Sequence, residues 1–70
     1  MKNKKEKILF FTNELAIMLK SGLTFTTAIE IILKEEKDKN FKEALKKIHK
    51  NLIAGKSIFE SFKNFDKIFG

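Results

Sequence analysis

Few residues of this 70-residue chain are of types that could do chemistry. Three acidic side chains lie close together in the charged stretch KEEKDKN, namely Glu35, Glu36 and Asp38. Carboxylate oxygens are the ligands that a hard cation such as calcium takes. Lysines interleave with these acids, however, and their spacing does not match a calcium-binding loop. We therefore expect no metal site there.

Nucleophilic and acid–base catalysis also lack the residues that they need. His49 is the only histidine, and the chain has no Cys, so neither a shared metal site nor a disulfide can form. No Ser is placed to use His49 as a base, and no glycine-rich phosphate loop is present. The sequence predicts a protein that is not an enzyme, with no catalytic residue, no cofactor and no metal, and with His49 at the edge of the core.

The net charge of +6 is the strongest compositional signal, and all fifteen basic residues are lysines. Lys42, Lys46 and Lys50 recur every four residues, which places them on one side of a helix. They form either a docking strip for an acidic partner or for phosphates, or simply a solvated face. Arginine is the usual choice for paired contacts to phosphate and guanine. We therefore expect no sequence-specific contact with nucleic acid.

Apolar spacing predicts an all-α antiparallel bundle of four helices, over about 6–20, 24–36, 41–54 and 58–64. Ser21-Gly22 and Gly55 are the expected helix stops. Asn40 with Glu43, and Ser57 with Glu60, are typical of helix starts. Residues 1–5 are expected to be a flexible basic tail.

One face of each helix is predicted to point inward. The expected inward residues are Ile8, Phe11, Leu15, Met18 and Leu19, then Phe25, Ala28, Ile29, Ile32 and Leu33, then Phe41, Ala44, Leu45, Ile48 and Leu52. The apolar residues of the fourth helix are Ile58, Phe59, Phe62 and Phe65. Phe10 and Ile17 lie on nearly the opposite face of the first helix. We interpret them as an interface patch, the alternative being that the two last helices wrap around it.

The chain is short enough for a single domain. Two large apolar residues, Ile68 and Phe69, stand just before the last residue, Gly70, which suggests that the natural protein continues. The N-terminus lacks the long apolar segment and cleavage site of a signal peptide. No stretch approaches the length of apolar sequence that spans a membrane, so we expect this part of the protein to be soluble.

Four features, in order, resemble the cytoplasmic domain of the type II secretion system protein F family. They are a helix of the form F-x-x-x-L-A-x-x-L followed by a small residue and Gly-Leu, an A-[LI]-E-[LI] segment, a helix ending in G-x-S-[LI], and a closing aromatic segment. The matching residues are Phe11, Leu15, Ala16, Leu19, Ser21, Gly22 and Leu23, then Ala28 to Ile31, Gly55 to Ser57 with Ile58, and Phe65 to Phe69. The chain departs from the family at Thr24 and Gly70, where proline is usual.

The resemblance implies a scaffold rather than an enzyme. It implies the first half of a six-helix bundle at the cytoplasmic face of the bacterial inner membrane, close to the membrane through parts of the protein outside this sequence. Such a domain would link the assembly ATPase to the growing pseudopilus or pilus, and would contact other platform components. A half-bundle should expose apolar surface, so we expect a homo-oligomer, with dimerisation completing the bundle.

Two other functions remain open from the sequence. One is a small basic helical nucleic-acid binder, although the helix after Ser21-Gly22 is apolar and then acidic, unlike a recognition helix. The other is contact of the N-terminal lysines and the Lys42–Lys50 strip with anionic lipid headgroups. The lipid contact is compatible with the scaffold role.

Overall fold

The computed structural model describes residues 4–63, and they form four helices. These are α1 (Lys4–Lys20), α2 (Phe25–Glu35), α3 (Lys39–Ile53) and α4 (Ile58–Phe62). The all-α bundle is therefore confirmed. Because α1 begins at Lys4, Lys4 and Lys5 belong to the helix rather than to the expected tail. Phe65, Ile68, Phe69 and the predicted end of the fourth helix at Asn64 lie outside the described residues.

Two glycines end helices in the same way. Gly22 has a φ of 98° and Gly55 a φ of 90°, the left-handed region that glycine enters without a steric penalty. At the first, the N–H of Leu23 donates to the carbonyl of Met18 at 3.2 Å, and the N–H of Gly22 to that of Leu19 at 3.1 Å. Lys56 and Gly55 donate in the same pattern after α3. Both are Schellman motifs, which satisfy the last carbonyls of the helix.

The starts of α2 and α4 agree with the sequence, whereas the start of α3 does not. Thr24 and Ser57 cap their helices, each side-chain oxygen accepting from a backbone N–H three residues on. The predicted cap Asn40 is wrong, because Asp38 holds that position. The Asp38 carboxylate accepts from the N–H of Phe41 at 3.1 Å. The negative charge of Asp38 also interacts favourably with the positive end of the helix dipole. Asn40 lies inside the first turn of α3.

Contacts between helices fix their directions. Lys7, near the start of α1, pairs with Glu36, just after α2, at 2.7 Å, so these two helices run antiparallel. The rings of Phe11 and Phe41 meet edge to face at 5.5 Å and bring the first part of α1 beside the start of α3. Phe25 and Phe62 make a similar contact at 5.7 Å between the start of α2 and α4. Each helix also packs on its neighbour in sequence. The two aromatic pairs join helices that are not neighbours in sequence and so close the bundle.

The core contains nearly all of the residues predicted to face inward. The buried apolar residues are Phe11, Ala28, Ile29, Ile32, Phe41, Ala44, Leu45 and Ile48. Packed against them are Ile8, Leu15, Met18, Phe25, Leu33, Leu52 and Phe62. Leu19 is a correction, since it is 39% exposed at the end of α1, where the chain turns away before it can be covered. In α4, Ile58 and Phe59 are exposed, because five residues are too few to bury more than one side.

Candidate docking surfaces

The outer face of α1 carries two large apolar side chains. Phe10 is 56% exposed and Ile17 is 65% exposed. They are seven residues apart, which is about two helical turns, so they share one side of the helix. Phe11, next to Phe10, points into the core. The structure thus leaves both predicted interface residues exposed, and the short helix α4 packs elsewhere, near Phe25.

An apolar groove runs along another side of α1, and the sequence did not predict it. It consists of two surface depressions of 430 and 390 Å³ that share Ile8 and Thr12. The other residues along it are Lys5, Glu6 and Leu9 in the first depression, and Phe11, Leu15, Phe25, Ile58 and Phe62 in the second. The Thr12 hydroxyl donates to the carbonyl of Ile8 at 2.8 Å, so this polar atom in the groove is already bonded. Leu9 belongs to the apolar run ILFF, and this run is the sequence signal that could have indicated an apolar surface here.

A third surface is a charged recess of 250 Å³ between α1 and the end of α2. Glu14, Glu35 and Glu36 line it together with Lys7 and Phe10. Glu36 is the best bonded of the three acids. Its carboxylate accepts from Lys7 and from the N–H of Asp38 at 3.0 Å. The Lys7 ammonium also lies 5.5 Å from the centre of the Phe41 ring.

In this recess, the charged form of the Glu14 carboxyl is disfavoured. Partial burial raises the pKa of the Glu14 carboxyl, and repulsion from Glu35 and Glu36 raises it further. The folded state therefore holds the Glu14 proton more tightly than the unfolded chain does. A group of this kind contributes stability below its ordinary pKa of 4.5, and the contribution is lost as the pH rises through the folded-state pKa.

We expect Glu14→Gln to be more stable than the wild type near neutral pH, because the variant removes the cost of partly burying a charge and the repulsion from Glu35 and Glu36. The difference should shrink as the pH falls through the raised folded-state pKa of Glu14, and should vanish below 4.5, where the wild-type carboxyl is protonated in both states. Urea denaturation across this pH range measures both quantities. The matched control is Glu43→Gln, which removes an exposed carboxylate from α3. A wild type that is more stable than Glu14→Gln at neutral pH would contradict the expectation.

The lysine stripe, defined as Lys42, Lys46 and Lys50, lies on the side of α3 away from the core. Lys46 and Lys50 are exposed and Lys42 is half-buried. Lys46 contacts Glu43 at 3.4 Å, and both side chains are more than half exposed, so the pair contributes little to stability. His49 is half-buried beside the stripe, at the core edge where the sequence placed it.

The five predicted site residues therefore form two surfaces rather than one. Phe10 and Ile17 lie on α1, and the lysine stripe lies on α3. Within residues 4–63 no group of three His, Cys, Asp or Glu side chains is arranged to hold a metal ion. The same range contains no helix that is both long and apolar enough to cross a bilayer.

Comparison with known proteins identifies the family. The model of the family described as type II secretion system (T2SS), protein F matches residues 11–69. No curated protein and no solved structure matches the chain. The matching family consists of inner-membrane-associated platform proteins of secretion and pilus machines, and it is not a family of enzymes. Since the match covers most of the sequence, the chain belongs to the type II secretion system protein F family.

Proposed function

We propose that this chain is a non-enzymatic assembly module of an inner-membrane platform, at its cytoplasmic face. In this role it couples the cytoplasmic assembly ATPase of a type II secretion or type IV pilus machine to pseudopilus or pilus assembly. Family membership supports the platform role. The helical bundle supports it as well, because a scaffold needs a rigid surface and no catalytic group.

The exposed apolar pair on α1 is the observation that carries the docking role. Phe10 and Ile17 are both more than half exposed and two turns apart on one helix face. Burial against a partner would stabilise a complex by about 25 cal/mol for each Å² of apolar surface removed from water. Large side chains presented in this way are typical anchors of helix-in-groove recognition. We assign this face to the ATPase.

The apolar groove of α1 supports a second part of the proposal, which is self-association. Leu9 is 62% exposed beside the groove, and Ile58 lies exposed along it. A second copy of the chain would cover the groove through an interface that is the same on both subunits, as in most dimers. Other platform components would then bind surfaces of the bundle that neither the ATPase nor the second copy covers.

Nothing in α2 favours the nucleic-acid alternative. As the helix after the Ser21-Gly22 turn, α2 would have to be the recognition helix. Its Ala28, Ile29 and Ile32 are buried in the core. Its one lysine, Lys34, faces Glu30 at 3.5 Å.

The proposal is tested by titrating the isotopically labelled chain with the assembly ATPase from the same cell and following NMR shifts. We expect localised shifts around Phe10 and Ile17. Replacing both by serine should weaken binding about 10- to 100-fold, as the loss of central apolar anchors does. The matched control is Phe59→Ser, which removes an apolar side chain that is 80% exposed on α4.

Two results would contradict this assignment. One is full affinity in the double variant. The other is an absence of shifts at high micromolar concentration. Sedimentation velocity over the same concentrations separates self-association from ATPase binding, because a dimer forms without the ATPase.

A further inference from the structure

The side of α3 that carries the lysine stripe has further exposed residues before Lys42 and after Lys50. Lys39 lies one turn before Lys42 and extends the row of cations toward the start of the helix. Repulsion between neighbouring cations in such a row destabilises the helix slightly. Within residues 4–63 the ion pair that the structure gives to the stripe is the weak Lys46–Glu43 contact. An anionic surface laid along this side would relieve the repulsion over four helical turns.

An apolar side chain ends the same row. Ile53 is the last residue of α3, eleven residues or about three turns after Lys42, so it returns to nearly the same side of the helix. It is 65% exposed, in contrast to Ile48 and Leu45 on the inner side. Lys56 and Phe59, which are also exposed, follow Ile53 within six residues. This end of the domain therefore combines exposed apolar groups with cations.

Cations together with exposed apolar groups fit a membrane surface better than they fit other polyanions. A peripheral protein held at an interface gains from two sources, electrostatic attraction to anionic lipid and burial of apolar groups at the acyl boundary. Lysine is a strongly hydrated point charge on a flexible stem, which suits a diffuse layer of headgroups more than a defined phosphate site. A nucleic-acid backbone would use the lysines but would leave Ile53 in water.

We propose that the lysine stripe, Lys39 and Ile53 form a surface that lies on anionic phospholipid headgroups. The ammonium groups sit among the headgroup phosphates, and Ile53 enters the boundary between headgroups and acyl chains. This surface is separate from the α1 face assigned to the ATPase. The lipid contact therefore holds or fails independently of that docking.

The test is co-sedimentation of the chain with vesicles that contain about one third phosphatidylglycerol in phosphatidylcholine, compared with phosphatidylcholine alone. We expect binding to the anionic vesicles only, weakening as salt is added. Each lysine near an anionic bilayer contributes about fivefold to partitioning, so the triple variant Lys42→Gln, Lys46→Gln, Lys50→Gln should partition about 100-fold less.

A second triple variant serves as the matched control for net charge. Lys20→Gln, Lys34→Gln and Lys37→Gln remove the same charge from exposed positions on α1, α2 and the connection after α2. This control should keep most of the binding. An equal loss in both triple variants would overturn the proposal, because it would show attraction to net charge alone. Circular dichroism checks that both variants keep their helices.

Ile53 separates a membrane from other polyanions. Ile53→Gln should lower vesicle binding about tenfold through lost apolar burial, and should leave binding to duplex DNA or polyglutamate unchanged. If the stripe binds either polymer but not the anionic vesicles, the proposal is overturned and the surface belongs to a nucleic acid or an acidic protein. Vesicle binding that is indifferent to Ile53→Gln also overturns it.

Discussion

Phe41→Ala is expected to remove about 3–5 kcal/mol of the free energy of unfolding, the usual cost of deleting a buried aromatic ring. Phe41 is 1% exposed and is among the largest fully buried side chains of the described residues. Its ring also packs edge to face with Phe11 and lies beneath the Lys7 ammonium, and both contacts are lost with it. A domain of this size has a total stability of only about 4–10 kcal/mol. The variant should therefore lose a large fraction of the domain's stability.

Urea denaturation followed by far-UV circular dichroism measures this loss. The matched control is Phe59→Ala, which deletes the same ring from a position that is 80% exposed. The control should change stability by no more than about 0.5 kcal/mol, as exposed substitutions usually do. Equal losses in the two variants would show that Phe41 is not the centre of the core.

Leu45→Ala is expected to cost about 2–5 kcal/mol, because Leu45 is fully buried and its truncation leaves a cavity in the core. Leu45 is fully buried on α3, one turn after Phe41 and one turn before Ile48. Alanine is the better helix former, so helix propensity works slightly against the loss. The destabilisation therefore reports packing rather than a weakened helix.

Ile53→Ala provides the comparison for Leu45→Ala on the same helix. Ile53 is mostly exposed at the end of α3, so its truncation leaves no internal cavity. Thermal unfolding of both variants should show a large fall in melting temperature for Leu45→Ala and almost none for Ile53→Ala. A large fall for Ile53→Ala would mean that this side chain supports the fold, and it would then be unsuitable as a probe of lipid contact.

Helix positions and the inner face of α3 could be predicted from the sequence for a simple reason. Phe41, Ala44, Leu45 and Ile48 recur at three- and four-residue spacing, and all four are buried. The start of α3 could not be fixed in this way. Asp38 and Asn40 are both good capping residues, and the choice depends on whether Lys39 joins the helix. The prediction that Leu19 is buried was wrong. Leu19 has the helical phase of the inner side of α1, but it remains exposed at the end of that helix.

The surface features also divide into those that could be predicted from the sequence and those that could not. The exposure of Phe10 and Ile17 follows from their phase in α1, which the sequence contains. The charged recess does not, because Glu14 lies more than twenty residues from Glu35 and only the packing of α1 on α2 brings them together. The α1 groove likewise depends on where α4 lies, since Ile58 and Phe62 supply one of its sides. Long-range packing of this kind leaves no periodic signal.

The packing of each helix on its neighbour in sequence has a kinetic consequence. Contacts between sequence neighbours close short loops, and chains dominated by such contacts fold within microseconds to milliseconds. Synthesis adds only about 5–20 residues per second, so α1 and α2, once outside the ribosome, can pair faster than further residues are added. The apolar side chains of α1 are then covered on their inner side early. A newly made chain therefore needs little time to bury its inner apolar side chains.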